Sequence, residues 1–330
     1  MKRFLILFAL LLAGCGGTDV VREPGVQVSG SPEATPVAGA PVPDGAVRIA
    51  VVTHGPASSK FWAIIRNGVD SAARRLDVLV DYQSPDVFSV ERMSELIDRA
   101  VATKPDGLVV SIPSEGLAPA IRRAVRAGIP VISINSGSDI FKRLGVLVHV
   151  GQIESRAGLE AGRRLADTGV RNALCLNQER DNVGTNARCD GLEKAMREAG
   201  GRAKTLPIAD DDPRTPSIIA RAVADGDVDG VLATNSVGGL AAAEGLAGTG
   251  TKIGTFDLGP DVLKAVAAGR IGFAVDQQAY LQGYLPIEML ALRARYGILP
   301  AQHDVIATGP NFVTRDNAEQ ALELSERSIR

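Results

Sequence analysis

Aromatic side chains are scarce in this chain of 330 residues: they make up 4%, with a single tryptophan. A basic excess is missing as well. Lys and Arg number 36 against 38 Asp and Glu, a formal net charge of −2, so no cation surplus exists to track a nucleic-acid backbone. Histidine is limited to His54, His149 and His303. His149 lies inside an apolar run and reads as a satisfied core residue. No Ser or Cys elbow stands near a His–acid partnership, and no Gly-Lys-Ser/Thr loop cradles a phosphate. Catalysis, cofactors and metals are therefore not expected. Past the first fifteen residues, no apolar run approaches the roughly 18 or more residues that cross a bilayer.

What is present begins at the N-terminus. Lys2 and Arg3 precede an unbroken apolar run from Phe4 to Leu12, followed by Ala13, Gly14 and Cys15. A basic start, a short apolar stretch and small residues before a cleavage point make a secretory signal. Leu12-Ala13-Gly14-Cys15 resembles a bacterial lipoprotein lipobox, which implies cleavage before Cys15 and lipidation of its thiol. Residues 1–14 are thus read as signal peptide, and the mature protein as an extracytoplasmic membrane lipoprotein, periplasmic or at the cell surface. Residues 15–46 read as a disordered linker. Pro24, Pro32, Pro36, Pro41 and Pro43 are scattered among Gly, Ser, Thr and Val, a composition that buries too little apolar surface to fold.

From Val47 onward, short apolar runs alternate with amphipathic helical periods. Strands are expected at 47–52, 78–80, 107–110, 129–134 and 146–150, with helices over 61–76, around 93–101 and over 119–127. The pattern then restarts, with strands at 173–176, 204–206, 231–233, 252–256 and 272–275 and helices near 186–199 and 216–224. Such alternation argues for parallel sheets covered on both faces. Two successive runs argue for two similar α/β lobes.

In open parallel sheets, ligands bind beyond the carboxyl ends of the strands. Here those ends carry His54, Ser111, Asn135-Ser136, Asn177-Gln178-Glu179, Asn235, Asp257 and Asp276-Gln277. Amide and carboxylate side chains suit adjacent hydroxyls, although any one of them also serves as a turn or helix cap. Phe61 and Trp62, just after the first strand, are read either as core residues or as a platform for the C–H face of a sugar ring.

The arrangement resembles the ribose/galactose-type periplasmic binding proteins, the substrate-binding components of ABC sugar importers. The resemblance covers 47–317 and rests on Lys104-Pro105-Asp106-Gly107-Leu108-Val109-Val110, Ala127-Gly128-Ile129-Pro130-Val131-Ile132, Arg188 with Gly191, Phe256-Asp257 and Gln277. It implies a type I fold: two doubly wound parallel-sheet lobes, 47–152 plus 278–306 and 153–277 plus 307–330. Three crossovers near Gln152, Gln277 and Ala307 would act as hinges. It also implies ring stacking by Phe61 and Trp62, and polar contacts from Asn135, Gln152, Arg188, Asn235, Asp257 and Gln277. His54, Glu179 and Asp276 are weaker candidates. The implied partners are a sugar or polyol and the permease subunits of an importer, with the chain a monomer. Ligand sensing on behalf of a membrane receptor or kinase would use the same cleft and stays open as the alternative. A sugar-repressor regulator would need an N-terminal helix-turn-helix, where this chain has its lipobox.

Two departures bear on ligand identity. Asn135-Ser136 stands where the family often has Asp-Arg, and Ile112-Pro113 where it often has Asn-Pro; both point away from ribose. Asp225-Gly226-Asp227-Val228-Asp229-Gly230 opens like a calcium loop, but Ser236 holds the place of the bidentate Glu. Asp210-Asp211-Asp212 reads as a solvated loop. An Asp257–Asp276 acid–base pair for glycoside hydrolysis is imaginable, but sugar-binding sites use the same residues without chemistry. Once Cys15 is modified, Cys175 and Cys189 are the remaining thiols in an oxidising compartment and are expected to pair; two separate buried thiols are the alternative.

Overall fold

The computed structural model describes residues 45–56, 59–300 and 302–330. The signal peptide, Cys15 and nearly all of the linker lie outside the described residues. The first run of elements is β1 (Val47–Val52), α1 (Lys60–Leu76), β2 (Val78–Gln83), α2 (Val90–Ala102), β3 (Gly107–Ser111), α3 (Ala118–Arg126), β4 (Val131–Ile134) and β5 (Val148–Gly151). The second is α4 (Glu154–Asp167), β6 (Asn172–Asn177), α5 (Val183–Glu198), β7 (Arg202–Pro207), α6 (Thr215–Gly226), β8 (Gly230–Ala233), α7 (Ser236–Gly245), β9 (Lys252–Phe256), α8 (Pro260–Ala267) and β10 (Phe273–Asp276). Then come α9 (Ala279–Tyr296), β11 (Asp304–Ala307), β12 (Asn311–Val313) and α10 (Ala318–Glu326).

Two six-stranded sheets result, in the orders β11-β5-β4-β3-β1-β2 and β12-β10-β9-β8-β6-β7. The order is the same in both, so β1, β3, β4 and β5 of one lobe correspond to β6, β8, β9 and β10 of the other. The chain changes sheet after β5, after β10 and between β11 and β12. All pairings are parallel except β10–β12, which is antiparallel. This edge departs from the expected all-parallel sheets, because the short link after β11 leaves no room for a crossover helix.

Strands β3, β4, β8 and β10 are buried along their whole length, as sheets covered on both faces require. Helix α2 shows how a covering helix is specified: Met93, Leu96, Ile97 and Ala100 form its buried stripe, at the spacing of one helical face. Ser89 caps it, its Oγ accepting from the Arg92 backbone N–H at 3.0 Å. Helix α5 begins three residues earlier than its apolar pattern indicates, because Asn182 caps it: its Oδ1 accepts from Gly184 N at 2.8 Å. Close packing of α4 on α5 needs glycine, since a Cβ on Gly158 would lie 2.1 Å from the Arg188 carbonyl oxygen. That contact fixes the helix from which Arg188 projects.

Candidate functional site

A cavity of about 220 Å³ opens where the carboxyl ends of the two sheets meet. One lobe contributes His54, Phe61, Trp62, Asn135 and Ser136, and the other Glu179, Asn182, Arg188, Asp210, Asn235 and Asp257, with Gln277 at the second crossover. The lobes touch at its rim. Val183 N donates to the Pro113 carbonyl at 2.8 Å, and Asn182 Nδ2 lies 3.4 Å from His54 Nε2.

The first lobe supplies an aromatic wall. Trp62, in the first turn of α1, is 7% exposed. It meets the His54 ring edge-on at 4.8 Å and Phe61 at 5.3 Å. Its indole lies against backbone: a Cβ on Gly55 would sit 1.5 Å from Nε1, so only glycine admits the ring there. Trp62 packs with the core of its lobe and also lines the cavity. His54 Nδ1 lies 2.8 Å from Ser111 Oγ. Burial lowers the His54 pKa more than Glu179 raises it, so the ring is neutral at pH 7.

The polar wall centres on Asp257. Its Oδ1 accepts from Gln277 Nε2 at 2.5 Å, and Gln277 Oε1 accepts from Asn135 Nδ2 at 3.2 Å. Burial pushes the Asp257 carboxyl up to about 6, against the pull of Arg188 and Gln277. Arg188 is 5% exposed and its guanidinium stacks 4.3 Å over Phe256. Its ion-pair partner is Glu154, which accepts from Nε at 2.6 Å and from Nη2 at 3.1 Å; Nη1 donates to the Thr234 carbonyl at 2.7 Å. Of five guanidinium N–H groups, two stay available. Asn235 is partly committed as well, capping α7 through Gly238 N at 2.8 Å and donating to Asp210 Oδ2 at 2.6 Å.

Two expected residues lie outside the lining. Gln152 is fully buried in the hinge, where its Nε2 donates to Glu154 Oε2 at 2.9 Å. Asp276 points away: its Oδ2 accepts from Arg330 Nε at 2.5 Å and its Oδ1 from Gln278 N at 2.7 Å. Asp257 and Asp276 therefore do not face one cavity as an acid–base pair. His149 is only half satisfied, with Nδ1 3.0 Å from Ser133 Oγ and no partner for Nε2 among the described residues. The acidic triplet also divides, Asp212 pairing with Arg214 at 2.8 Å while Asp210 reaches the cavity. Asp229 of the calcium-like loop instead accepts from the Arg171 and Asn172 backbone N–H groups at 3.0 and 2.8 Å.

Sequence reasoning missed Glu154, Asn182 and Asp210. Only Asn182 carried a local signal, as an Asn just before a helical period. Cys175 on β6 and Cys189 in the second turn of α5 are joined by a disulfide, with Cα atoms 5.5 Å apart.

Residues 49–297 match the family described as periplasmic binding protein domain. A xylose/arabinose-binding protein of Sulfolobus acidocaldarius is 24% identical over 298 residues, 83% of this chain and 73% of that protein. Among solved structures, a carbohydrate transporter from Acidothermus cellulolyticus 11B in complex with myo-inositol is 33% identical, with a TM-score of 0.81 over 86% of this chain and 100% of that one. A solute-binding protein from Burkholderia graminis in complex with D-arabinose shares the fold at 22% identity, with a TM-score of 0.73 over 82% and 96% of the two chains. With two like-ordered sheets joined by three crossovers around a polar cavity, the chain belongs to the periplasmic binding protein domain family and has its type I fold.

Proposed function

We propose that the protein is an extracytoplasmic, lipid-anchored binding protein that captures a monosaccharide or related cyclic polyol between its lobes and delivers it to an ABC importer. The observation that carries this reading is the pairing of the Phe61–Trp62–His54 wall on one lobe with Asp257 and Arg188 on the other, around a cavity of about 220 Å³. That volume lies below the roughly 300–1,000 Å³ of drug-sized pockets, which favours a single small ring. Aromatic faces accept the C–H side of such a ring. Asp257 Oδ2 and the two remaining Arg188 N–H groups accept from and donate to its hydroxyls, as charge-assisted hydrogen bonds. A ligand that touches both lobes binds the closed arrangement better and shifts the population towards it. The myo-inositol and D-arabinose bound by the Acidothermus and Burkholderia proteins support the same chemical class here.

The run from Phe4 to Leu12 before Cys15 supports export and lipid tethering. The test is a thermal-shift screen of the purified protein against monosaccharides, cyclitols, acyclic polyols and nucleosides. A ligand present at about 100 times its Kd stabilises the folded state by roughly 2.7 kcal/mol. A melting temperature that no sugar or polyol moves would overturn the reading.

A further inference from the structure

The charges around the cavity do not balance. Three carboxylates line it, those of Glu179, Asp210 and Asp257, against one guanidinium, that of Arg188. The guanidinium is already matched by a fourth carboxylate, Glu154, which is 1% exposed and holds it at 2.6 and 3.1 Å. Among the described residues no other Lys or Arg lines the cavity, and His54 is held neutral by burial.

The partners that the three carboxylates do have are neutral amides. Asn182 Nδ2 donates to Glu179 Oε2 at 2.6 Å, Asn235 Nδ2 to Asp210 Oδ2 at 2.6 Å, and Gln277 Nε2 to Asp257 Oδ1 at 2.5 Å. An amide N–H satisfies a lone pair but leaves the charge uncancelled. Asp257 is only 9% exposed and lines the cavity, and its Oδ2 has no hydrogen-bond partner among the described residues.

We propose that the preferred ligand is a polyhydroxylated ring bearing a protonated amine, an amino sugar or amino cyclitol, with its ammonium on the Asp257 side of the cavity. The proposal rests on the polyol reading above and narrows it. A buried carboxylate whose neighbouring cation, Arg188, is already paired with Glu154 is unfavourable, and an ammonium answers it with three N–H donors where a hydroxyl offers one. Burial already pushes Asp257 up to about 6; an ammonium beside it pulls that value back down. Glu179, its side chain 45% exposed, and Asp210 stand nearer the solvent, where negative charge draws a cation inward.

The test is isothermal calorimetry on the purified full-length chain at pH 7, in matched pairs. The pairs are D-glucosamine with D-glucose, D-galactosamine with D-galactose, and an amino-deoxy-inositol with its parent inositol; N-acetyl-D-glucosamine serves as the neutralised control. The expected result is one amine bound at least tenfold more tightly than its parent, a gain that acetylation and added salt both reduce. Glu179→Gln and Asp210→Asn should shrink the ratio of the two affinities more than they change the parent's affinity. If every neutral parent binds as tightly as its amine or more so, this inference is overturned and the polyol reading stands. If neither kind binds, both fall.

Discussion

Asn135 and Asp257 hold the same place in the two lobes: each directly follows the corresponding strand of its sheet, β4 or β9, and each has a left-handed backbone, with φ of 60° and 67°. Asn and Asp tolerate that conformation better than other non-glycine residues. The amide of Gln277 spans the pair, accepting from Asn135 at 3.2 Å and donating to Asp257 at 2.5 Å. Gln277→Ala removes both links, together with the bond that Gln277 Oε1 accepts from Gln282 Nε2 at 3.0 Å. Hydrogen bonds to charged groups are worth about 1.5–3 kcal/mol, so calorimetry should show binding of the identified ligand weakened by roughly tenfold or more. Full affinity in this variant would mean that the bridge has no part in the binding geometry.

Glu154 and Asp257 should answer differently to loss of charge. Glu154→Gln takes one partner from a buried ion pair, and stranding Arg188 is expected to destabilise by about 3–5 kcal/mol. Asp257→Asn removes an acceptor from the cavity and strands no ion pair. It should weaken ligand binding by roughly tenfold to over a hundredfold and leave the melting temperature unchanged or raised. Arg188→Ala should lose on both measures. If Asp257→Asn lowers the melting temperature and binds with unaltered affinity, the carboxylate is a structural group and its assignment to the site is wrong.

Most of the fold was legible because its signals are local. Apolar runs buried on both faces, the helical stripe of α2 and the restart of the strand–helix alternation are all written in short segments. In the site, His54, Asn135, Asn235 and Asp257 were legible because each follows a strand, whereas Arg188, in the second turn of α5, was read through the family resemblance. Glu154 was not legible: it opens α4, and what defines it is Arg188, 34 residues on. Asp276 misled for the same reason, since its carboxylate is taken by Arg330, 54 residues away. Asp210 looked like its solvated neighbours, and only the fold of the loop after β7 separates it from Asp212.

Ligand affinity should fall as pH drops through about 6. Asp257 has its carboxyl raised from the ordinary 3.8 to about 6 by burial. Below that value it is protonated and loses the charge that ligand donors stabilise. The stability of the free protein moves in the opposite direction. With the folded pKa above the unfolded one, this group's contribution is fully present below about 3.8 and lost as pH rises through 6. At roughly 1.4 kcal/mol per unit, the effect amounts to about 3 kcal/mol. His149 opposes it, because burial holds its ring down to about 3 and its contribution fades as pH falls below 6.5. Melting curves of the protein and of Asp257→Asn from pH 7.5 to 4.5 isolate the Asp257 share: the unmutated protein should gain stability relative to the variant. Parallel curves would refute the raised value.

The Cys175–Cys189 bridge should be present in exported protein and should stabilise it. The two residues are 14 apart in sequence, and closing a loop of that size is worth about 3 kcal/mol in the chain-entropy model. Cys175 is 1% and Cys189 5% exposed, so reduction requires at least local opening. Non-reducing mass spectrometry should find the linked peptides, and Cys175→Ser with Cys189→Ser should lower the melting temperature. Two free thiols in correctly exported protein would count against the bridge.

Membrane attachment should depend on Cys15. The apolar run from Phe4 to Leu12 is far shorter than the roughly 20 residues of a spanning helix, so it cannot hold the protein in the bilayer by itself. A single acyl chain binds only marginally, and stable attachment takes at least two, which a lipidated N-terminal cysteine can carry. Cys15→Ser should therefore move the protein from the membrane fraction to the soluble one, or leave it as an uncleaved precursor of higher mass. Metabolic labelling with a fatty acid should mark the unmutated protein and miss the variant. Retention of cleaved Cys15→Ser protein on membranes after a high-salt wash would show that something other than lipid on this residue holds it there.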